Sequence, residues 1–273
     1  MNLDFRTLYR EINSIVKGNT LDLSSVEFIH PWSIVMICLL LIERAGFSDK
    51  SLVFPENEEV KSYLKRMHLD QLLLELGYKN EGQILKKILI PEKDNLGVQE
   101  IWHCLYRDEF NARLERFISM FLKFGLDKED AYRAMSVVGE LGNNVFDHNS
   151  GSWPLNISGC IIAAQNYPKK KSIQFVIGDP GVGFKGSLKS AYPEIRSDIE
   201  AIEKGLAGNT GRLGEKRGNG LRLIQEWTIN NFSGKVMIHS GDGLVIVDKN
   251  GSKSYKVNKI IGSLAQFVIN YNY

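Results

Sequence analysis

The sequence predicts an α/β (α+β) protein built as two packed units, and three observations carry that prediction. Short β-branched runs alternate with helical patterns over the first third of the chain. An amphipathic helix around residues 131–148 gathers its polar residues on one stripe. Glycine-rich turns separate strand-like runs in the last third, where Gly241-Asp242-Gly243 and Asn250-Gly251 read as antiparallel hairpin turns. At 273 residues and 43% hydrophobic content the chain is long enough for one large or two medium cores. Lys plus Arg is 34 against Asp plus Glu 32, so there is no general field for nucleic acid or an anionic membrane. Cys38, Cys104 and Cys160 are odd in number and far apart, with no metal-binding spacing, which predicts reduced and mostly buried thiols. The start carries no basic-then-apolar signal pattern, and the longest apolar run, 34–42, is too short to span a bilayer. A cytoplasmic protein without a membrane partner is expected.

Residues 5–16 place apolar side chains at roughly helical spacing, Gly18 ends that helix, and residues 20–23 form a short strand. Residues 21–29 then lead through His30-Pro31-Trp32-Ser33 into the apolar stretch 34–42: a strand, a polar turn with proline near a helix start, and a buried helix. Residues 51–54 are a strand and 58–74 one or two helices. This order, with the phrase Leu21-Asp22-Leu23-Ser24-Ser25-Val26-Glu27-Phe28-Ile29 ahead of the helix, resembles the STAS domain of anti-sigma factor antagonists over residues 19–76. Signalling members of that family carry their phosphorylated residue in an Asp-Ser-Ser/Thr-Gly turn. Here Ser33 stands where the family has glycine, so the phosphoacceptor is not carried over. A structural or partner-binding role is expected of the region, with His30 a turn residue.

Residues 77–107 read as a connection with a strand at 84–90 and an aromatic cluster at Trp102 and Tyr106. Its composition does not become linker-like, so the two units, 1–95 and 96–273, are expected to pack together. A helix over 108–124 carries Phe110, Leu114, Phe117, Ile118 and Phe121 on one face, Gly125 stops it, and Asp127 caps the next. Strands follow at 155–164 and 172–178. Residues 184–217 form a long irregular stretch of the kind that is a functional lid or is disordered. A helix at 221–231 and strands at 235–239, 244–247 and 264–269 close the chain.

The chemistry concentrates in three segments. On the helix through 138–151, Glu140, Asn144 and His148 recur at i, i+4 and i+8, with Ala131, Ala134, Met135, Val138, Leu141 and Val145 on the buried side. Asn144 could offer an oxygen to a hard cation such as Mg²⁺, which shares few protein ligands with substrate phosphates. A carboxylate one turn earlier, Glu140, would then orient or deprotonate a water or hydroxyl facing those phosphates. A merely solvated helix face would look the same. The second segment, Gly178-Asp179-Pro180-Gly181-Val182-Gly183, follows a strand. Its glycines let backbone approach a ligand, and Asp179 can accept from an exocyclic amine such as that of adenine. The third, Gly211 to Leu221, carries Gly214, Lys216, Arg217, Gly218, Asn219 and Gly220 and opens a helix, a ready site for phosphate to which Arg222 adds charge. For each of these side chains a solvated basic loop or an ordinary tight turn is the plain alternative.

The order of the three segments resembles the GHKL ATP-binding fold shared by gyrase, the heat-shock chaperone, histidine kinases and MutL, over residues 108–271. That resemblance implies a two-layer α/β sandwich with a mixed, mainly antiparallel sheet, and ATP and Mg²⁺ as cofactors. It implies Glu140 as general base and Asn144 as Mg²⁺ ligand. The ATP site would comprise Asn144, His148, Asp179, Gly181, Gly183, Lys216, Arg217, Gly218, Asn219, Gly220, Leu221 and Ser263, with Ser263 backing Asp179 through water. Glu-x3-Asn-x3-His is most similar to the anti-sigma serine kinases and the ATPases, since typical histidine kinases carry Asn in place of Glu140. No H-E-x-x-x-P box precedes the module. The second glycine box departs from the family at Arg222, which replaces a glycine.

Two functions are therefore expected to compete. One is an ATPase or anti-sigma-type serine/threonine kinase acting on water or a partner protein. The other is a non-catalytic, nucleotide-dependent protein-interaction switch. A third, nucleic-acid binding through Lys169, Lys170 and Lys171, has little support, because three lysines at a hairpin turn are usually solvation. The sequence leaves a homodimer open.

Overall fold

The protein is described by a computed structural model over residues 1–90, 97–149, 152–209 and 220–271. It opens with β1 (Asn2–Leu3) and α1 (Phe5–Ile15), whose N-terminus is capped by the Asp4 carboxylate accepting from the Thr7 amide at 2.9 Å. β2 (Val16–Lys17), β3 (Thr20–Asp22) and β4 (Phe28–Ile29) follow, then α2 (Pro31–Arg44). Every residue of 31–42 in α2 is buried, and a helix that is apolar all round must lie between layers rather than on a surface. β5 (Ser51–Val53) pairs parallel with β3 and completes a three-stranded sheet, β2-β3-β5, while β1 pairs parallel with β4.

α3 (Glu58–Arg66), α4 (Leu69–Glu75) and α5 (Lys79–Lys86) end the first unit. α5 replaces the strand expected at 84–90. Its inward residues Tyr78, Gly82 and Leu85 recur at helical spacing, and Gly82 lies so close to Leu74 that an added Cβ would meet that side chain at 2.7 Å. Ile84 and Leu89, which made the run look like a strand, are exposed.

The second unit begins with β6 (Val98–Cys104), a strand the sequence does not announce. A register shift between Gln99 and Trp102 breaks its period of two, which hides the alternation. α6 (Arg107–Lys123) and α7 (Lys128–Asn149) lie close to their expected ranges, with Gly125 at φ +100 between them and Asp127 capping the second through the Asp130 amide. An added Cβ at Gly142 would fall 2.0 Å from the Phe110 ring, so α6 and α7 pack closely at that point. β7 (Cys160–Tyr167) starts later than expected because Asn156 and Gly159 take positive φ, and Gly159 lies against the Cys104 carbonyl. β8 (Ser172–Asp179) follows.

The stretch expected to be irregular carries two short helices up to residue 209, and its remainder, 210–217, lies outside the described residues. The helices are α8 (Gly183–Leu188) and α9 (Asp198–Leu206), folded around a small core of Leu188, Ile195 and Ala201. Such short helices leave too few turns for a period to register in the sequence. α10 (Gly220–Glu226) continues into a π-helical turn, Trp227–Asn231, and is followed by β9 (Lys235–Ser240), β10 (Gly243–Asp248), β11 (Gly251–Lys256) and β12 (Ser263–Asn270).

The large sheet runs β11-β10-β9-β12-β8-β7-β6, and every neighbouring pair is antiparallel. Both of its faces are covered. Ile162, Ile173, Phe175, Ile177, Val236, Ile238 and Phe267 share a core with α6 and α7, while Ile161, Ala163, Val176, Met237 and Leu264 join the core of the first unit. α2 lies on that second face, with Val35 and Leu39 against Gly178. Residues of the first third of the chain and of the sheet thus share one core, and among the described residues the sheet is the middle of three layers. Polar ties join the same two regions. The Tyr9 hydroxyl meets His239 Nδ1 at 2.7 Å, His30 Nδ1 meets the Tyr167 hydroxyl at 2.9 Å, and the Tyr63 hydroxyl donates to Gln165 Oε1 at 3.2 Å.

Candidate functional site

The site lies where α7, the ends of β8 and β12, and the α8–α9 segment converge. Asp179 is the last residue of β8, directly opposite Ser263, the first of β12, and Ser263 is in turn opposite Ser240 of β9. One cross-strand row thus sets a carboxylate beside two successive hydroxyls at the end of the sheet. The Asp179 side chain is buried and accepts from Gly181 N at 2.9 Å and Asn149 Nδ2 at 3.0 Å on Oδ1, and from the Ser263 hydroxyl on Oδ2. The Ser263 contact is direct, where a water was expected between them.

Burial pushes the Asp179 carboxyl up to about 6, against the opposing pull of those hydrogen bonds. A carboxylate offers about four acceptor positions. Three are used, so Oδ2 keeps one for a ligand.

The glycines around Asp179 are required by contact. An added Cβ at Gly181 would fall 2.0 Å from Asn149 Oδ1, and Gly183 has φ +69 with the Ser240 hydroxyl and the Gly262 carbonyl pressed against it. Asn149, which the sequence reading missed, is the hinge of the arrangement. It donates to the Val145 carbonyl and to Asp179, and its Oδ1 accepts from Val182 N at 2.8 Å. It therefore ties the end of α7 to the Asp-Pro-Gly-Val-Gly turn. Its one sequence signal is a short amide in the last turn of a helix just before Gly151, a helix-ending position. Ser240 was missed as well; it donates to Gly262 O and accepts from Phe184 N.

The polar stripe of α7 borders this floor. Asn144 and His148 line the cleft beside Leu141, Val145 and Asn149, while Phe184, Leu188 and Leu221 form its apolar walls. Glu140 stands one turn up the helix, exposed, with its carboxylate against Gly220; an added Cβ there would meet Glu140 Oε1 at 1.8 Å. The expected site thus assembles from Glu140, Asn144, His148, Asp179, Gly181, Gly183, Gly220, Leu221 and Ser263. Lys216, Arg217, Gly218 and Asn219 lie outside the described residues. Arg222 is exposed and reaches Glu226 at 3.7 Å, so it covers surface rather than the cleft. Ser33 is buried inside α2. His30 is the N-cap residue of α2, held by Tyr167.

The inner cavity is narrow, about 80 Å³. Sites for small ligands are commonly ~300–1,000 Å³, so the cavity as it stands is smaller than a typical ligand site. An apolar slot ending on a buried carboxylate suits a flat ring that presents an N–H donor, and a polar helix stripe at its mouth suits charged groups attached to that ring. Compared with models of protein families, with curated proteins and with solved structures, the chain matches none.

Proposed function

We propose that the chain is an ATP-binding protein of GHKL type that binds Mg-ATP beneath the α8–α9 segment and hydrolyses it or passes its γ-phosphate to a partner protein. The observation that carries this reading is Asp179, held by Asn149, Gly181 and Ser263 at the end of an apolar slot with one acceptor position left open. Adenine is flat, largely apolar on its faces, and offers an amine hydrogen to that position. Asn144 and His148 flank the opening, where the phosphates would lie. A single amide oxygen from Asn144 is a sufficient protein contribution to Mg²⁺, which takes most of its ligands from phosphates and water. The ion would neutralise charge developing on the transferred group. Glu140, free of the slot and beside the start of α10, is the group placed to orient or deprotonate the attacking hydroxyl or water.

The second reading, a switch without turnover, draws on the order of the segment over the cleft. α8 and α9 carry their own core, and Ile202 and Leu206 of α9 belong to the core of the second unit, so nucleotide entry would displace a packed surface that a partner could read. Release of γ-phosphate from Mg-ATP, measured for the wild type and for Glu140→Ala with nucleotide binding followed in both, separates the two. Turnover lost in the variant with binding kept supports catalysis by Glu140. Binding without turnover in the wild type supports the switch, or a kinase lacking its acceptor. Absence of ATP binding by the wild-type chain sinks both.

A further inference from the structure

Cys104 and Cys160, distant in sequence, are direct cross-strand partners at the paired ends of β6 and β7. Both side chains enter the core shared with α6 and α7, and Arg113 Nη1 approaches Cys104 Sγ at 3.7 Å. Residues directly opposite in an antiparallel pair have Cβ atoms ~4.5–5.5 Å apart, near the span of a disulfide, so an S–S bond can close here without a change of strand register. We propose that Cys104 and Cys160 are a redox-active dithiol, a modification site at which a small disulfide oxidant closes a cross-strand bond between β6 and β7. Neither residue belongs to the proposed nucleotide site, and the inference does not depend on it.

The two sulfurs are unequal. The adjacent Cys160 thiol and the Arg113 guanidinium favour the Cys104 thiolate and lower its pKa, whereas the adjacent Cys104 thiol, burial and the Asp179 carboxylate push Cys160 well up. Cys104 is therefore the attacking sulfur. Its thiolate attacks one sulfur of the oxidant RSSR, forming a mixed disulfide and releasing RS⁻. The Cys160 thiolate then attacks Cys104 Sγ, forming the Cys104–Cys160 bond and releasing the second RS⁻. The two thiol protons go to the two leaving thiolates, so one RSSR is reduced to two RSH as the pair is oxidised. Both thiols are buried. β6 is the outermost strand of the large sheet and is interrupted by a bulge, so local opening of that edge is the route by which an oxidant would reach Cys104. Cys38 sits inside α2, and its thiol is pushed up by burial.

The test is incubation of the full chain with oxidised glutathione, acid quench, alkylation of free thiols in denaturant, and peptide mapping by mass spectrometry. The expected result is loss of two of the three thiols in the folded protein, with the Cys104 peptide joined to the Cys160 peptide and Cys38 alkylated. In Cys160→Ser a glutathione adduct should accumulate on Cys104. Three alkylated thiols after exposure of the folded wild type, a bond that includes Cys38, or a Cys104–Cys160 bond that forms only in urea would each overturn the proposal. The wild-type readout decides even where a serine variant fails to fold.

Discussion

The two faces of the large sheet each bury a titratable group, and they do so to opposite ends. On the face toward the first unit, His239 is sealed: Tyr9 donates to Nδ1, Nε2 donates to the Gly241 carbonyl, and burial pushes the imidazole down to about 4. On the other face, Asp179 is buried as deeply and burial pushes its carboxyl up to about 6, but it keeps an acceptor position toward the cleft. The same desolvation shifts both toward their neutral forms. A polar group whose bonding capacity is filled by the protein is structural, and one with capacity left over toward a cavity is available to a ligand. The covering layers differ accordingly. α2 seals its face with residues apolar all round, whereas α7 turns a polar stripe toward an opening.

The largest effect should come from breaking the sealed face. Leu39→Ala removes a fully buried side chain beside Gly178, and it should cost ~2–5 kcal/mol in urea unfolding while ligand affinity of the folded protein is kept. The next comparison uses pH. His239 has a folded pKa below its ordinary 6.5, so the stability it contributes is present above pH 6.5 and lost as pH falls toward 4. Asp179 has a folded pKa above its ordinary 3.8, so its contribution is present below pH 3.8 and lost as pH rises through about 6. Between pH 4 and 6 the two oppose one another, each by up to ~1.4 kcal/mol per pH unit. Relative to wild type, His239→Gln should therefore lose stability more steeply as pH rises through that window, and Asp179→Asn should gain it. Parallel slopes in the two variants would show that one assignment is wrong. On the proposed reading of the cleft, adenine-nucleotide affinity measured by titration calorimetry should also fall as pH drops below about 6 and Asp179 takes up a proton.

Smaller effects sharpen the contrast. Tyr9→Phe leaves His239 Nδ1 buried without its donor and should cost ~1–3 kcal/mol in thermal or urea unfolding. Arg222→Ala, at an exposed pair with Glu226, should change stability by less than ~0.5 kcal/mol and leave nucleotide binding as it was.

Much of the lining of the cleft was legible because its signals are local. Glu140, Asn144 and His148 sit at helical spacing, and Asp179 lies among glycines that its neighbours require, Gly181 because of Asn149 and Gly183 because of its positive φ. Asn149 was not legible, since nothing near it in sequence shows that Asp179 and Val182 will be its partners. Nor was β6, whose bulge erased its alternation, nor α8 and α9, too short to establish a period. The strand expected at 84–90 failed because an apolar run has the same composition in a strand and in a helix whose outer side is left exposed.

By itself the sequence determined what is set by neighbours along the chain: the long helices α1, α2, α6 and α7, the hairpins at Gly241 and Asn250, and the polar stripe. Tertiary structure alone decided which strands became neighbours. It placed β12 between β8 and β9, which brought Ser263 to Asp179, and it set β6 beside β7, which joined Cys104 to Cys160. It also laid α2 across the sheet and so turned two units into three layers. Local patterns report burial and turning, and strand partners are chosen by the packing of distant surfaces, which no stretch of sequence carries alone.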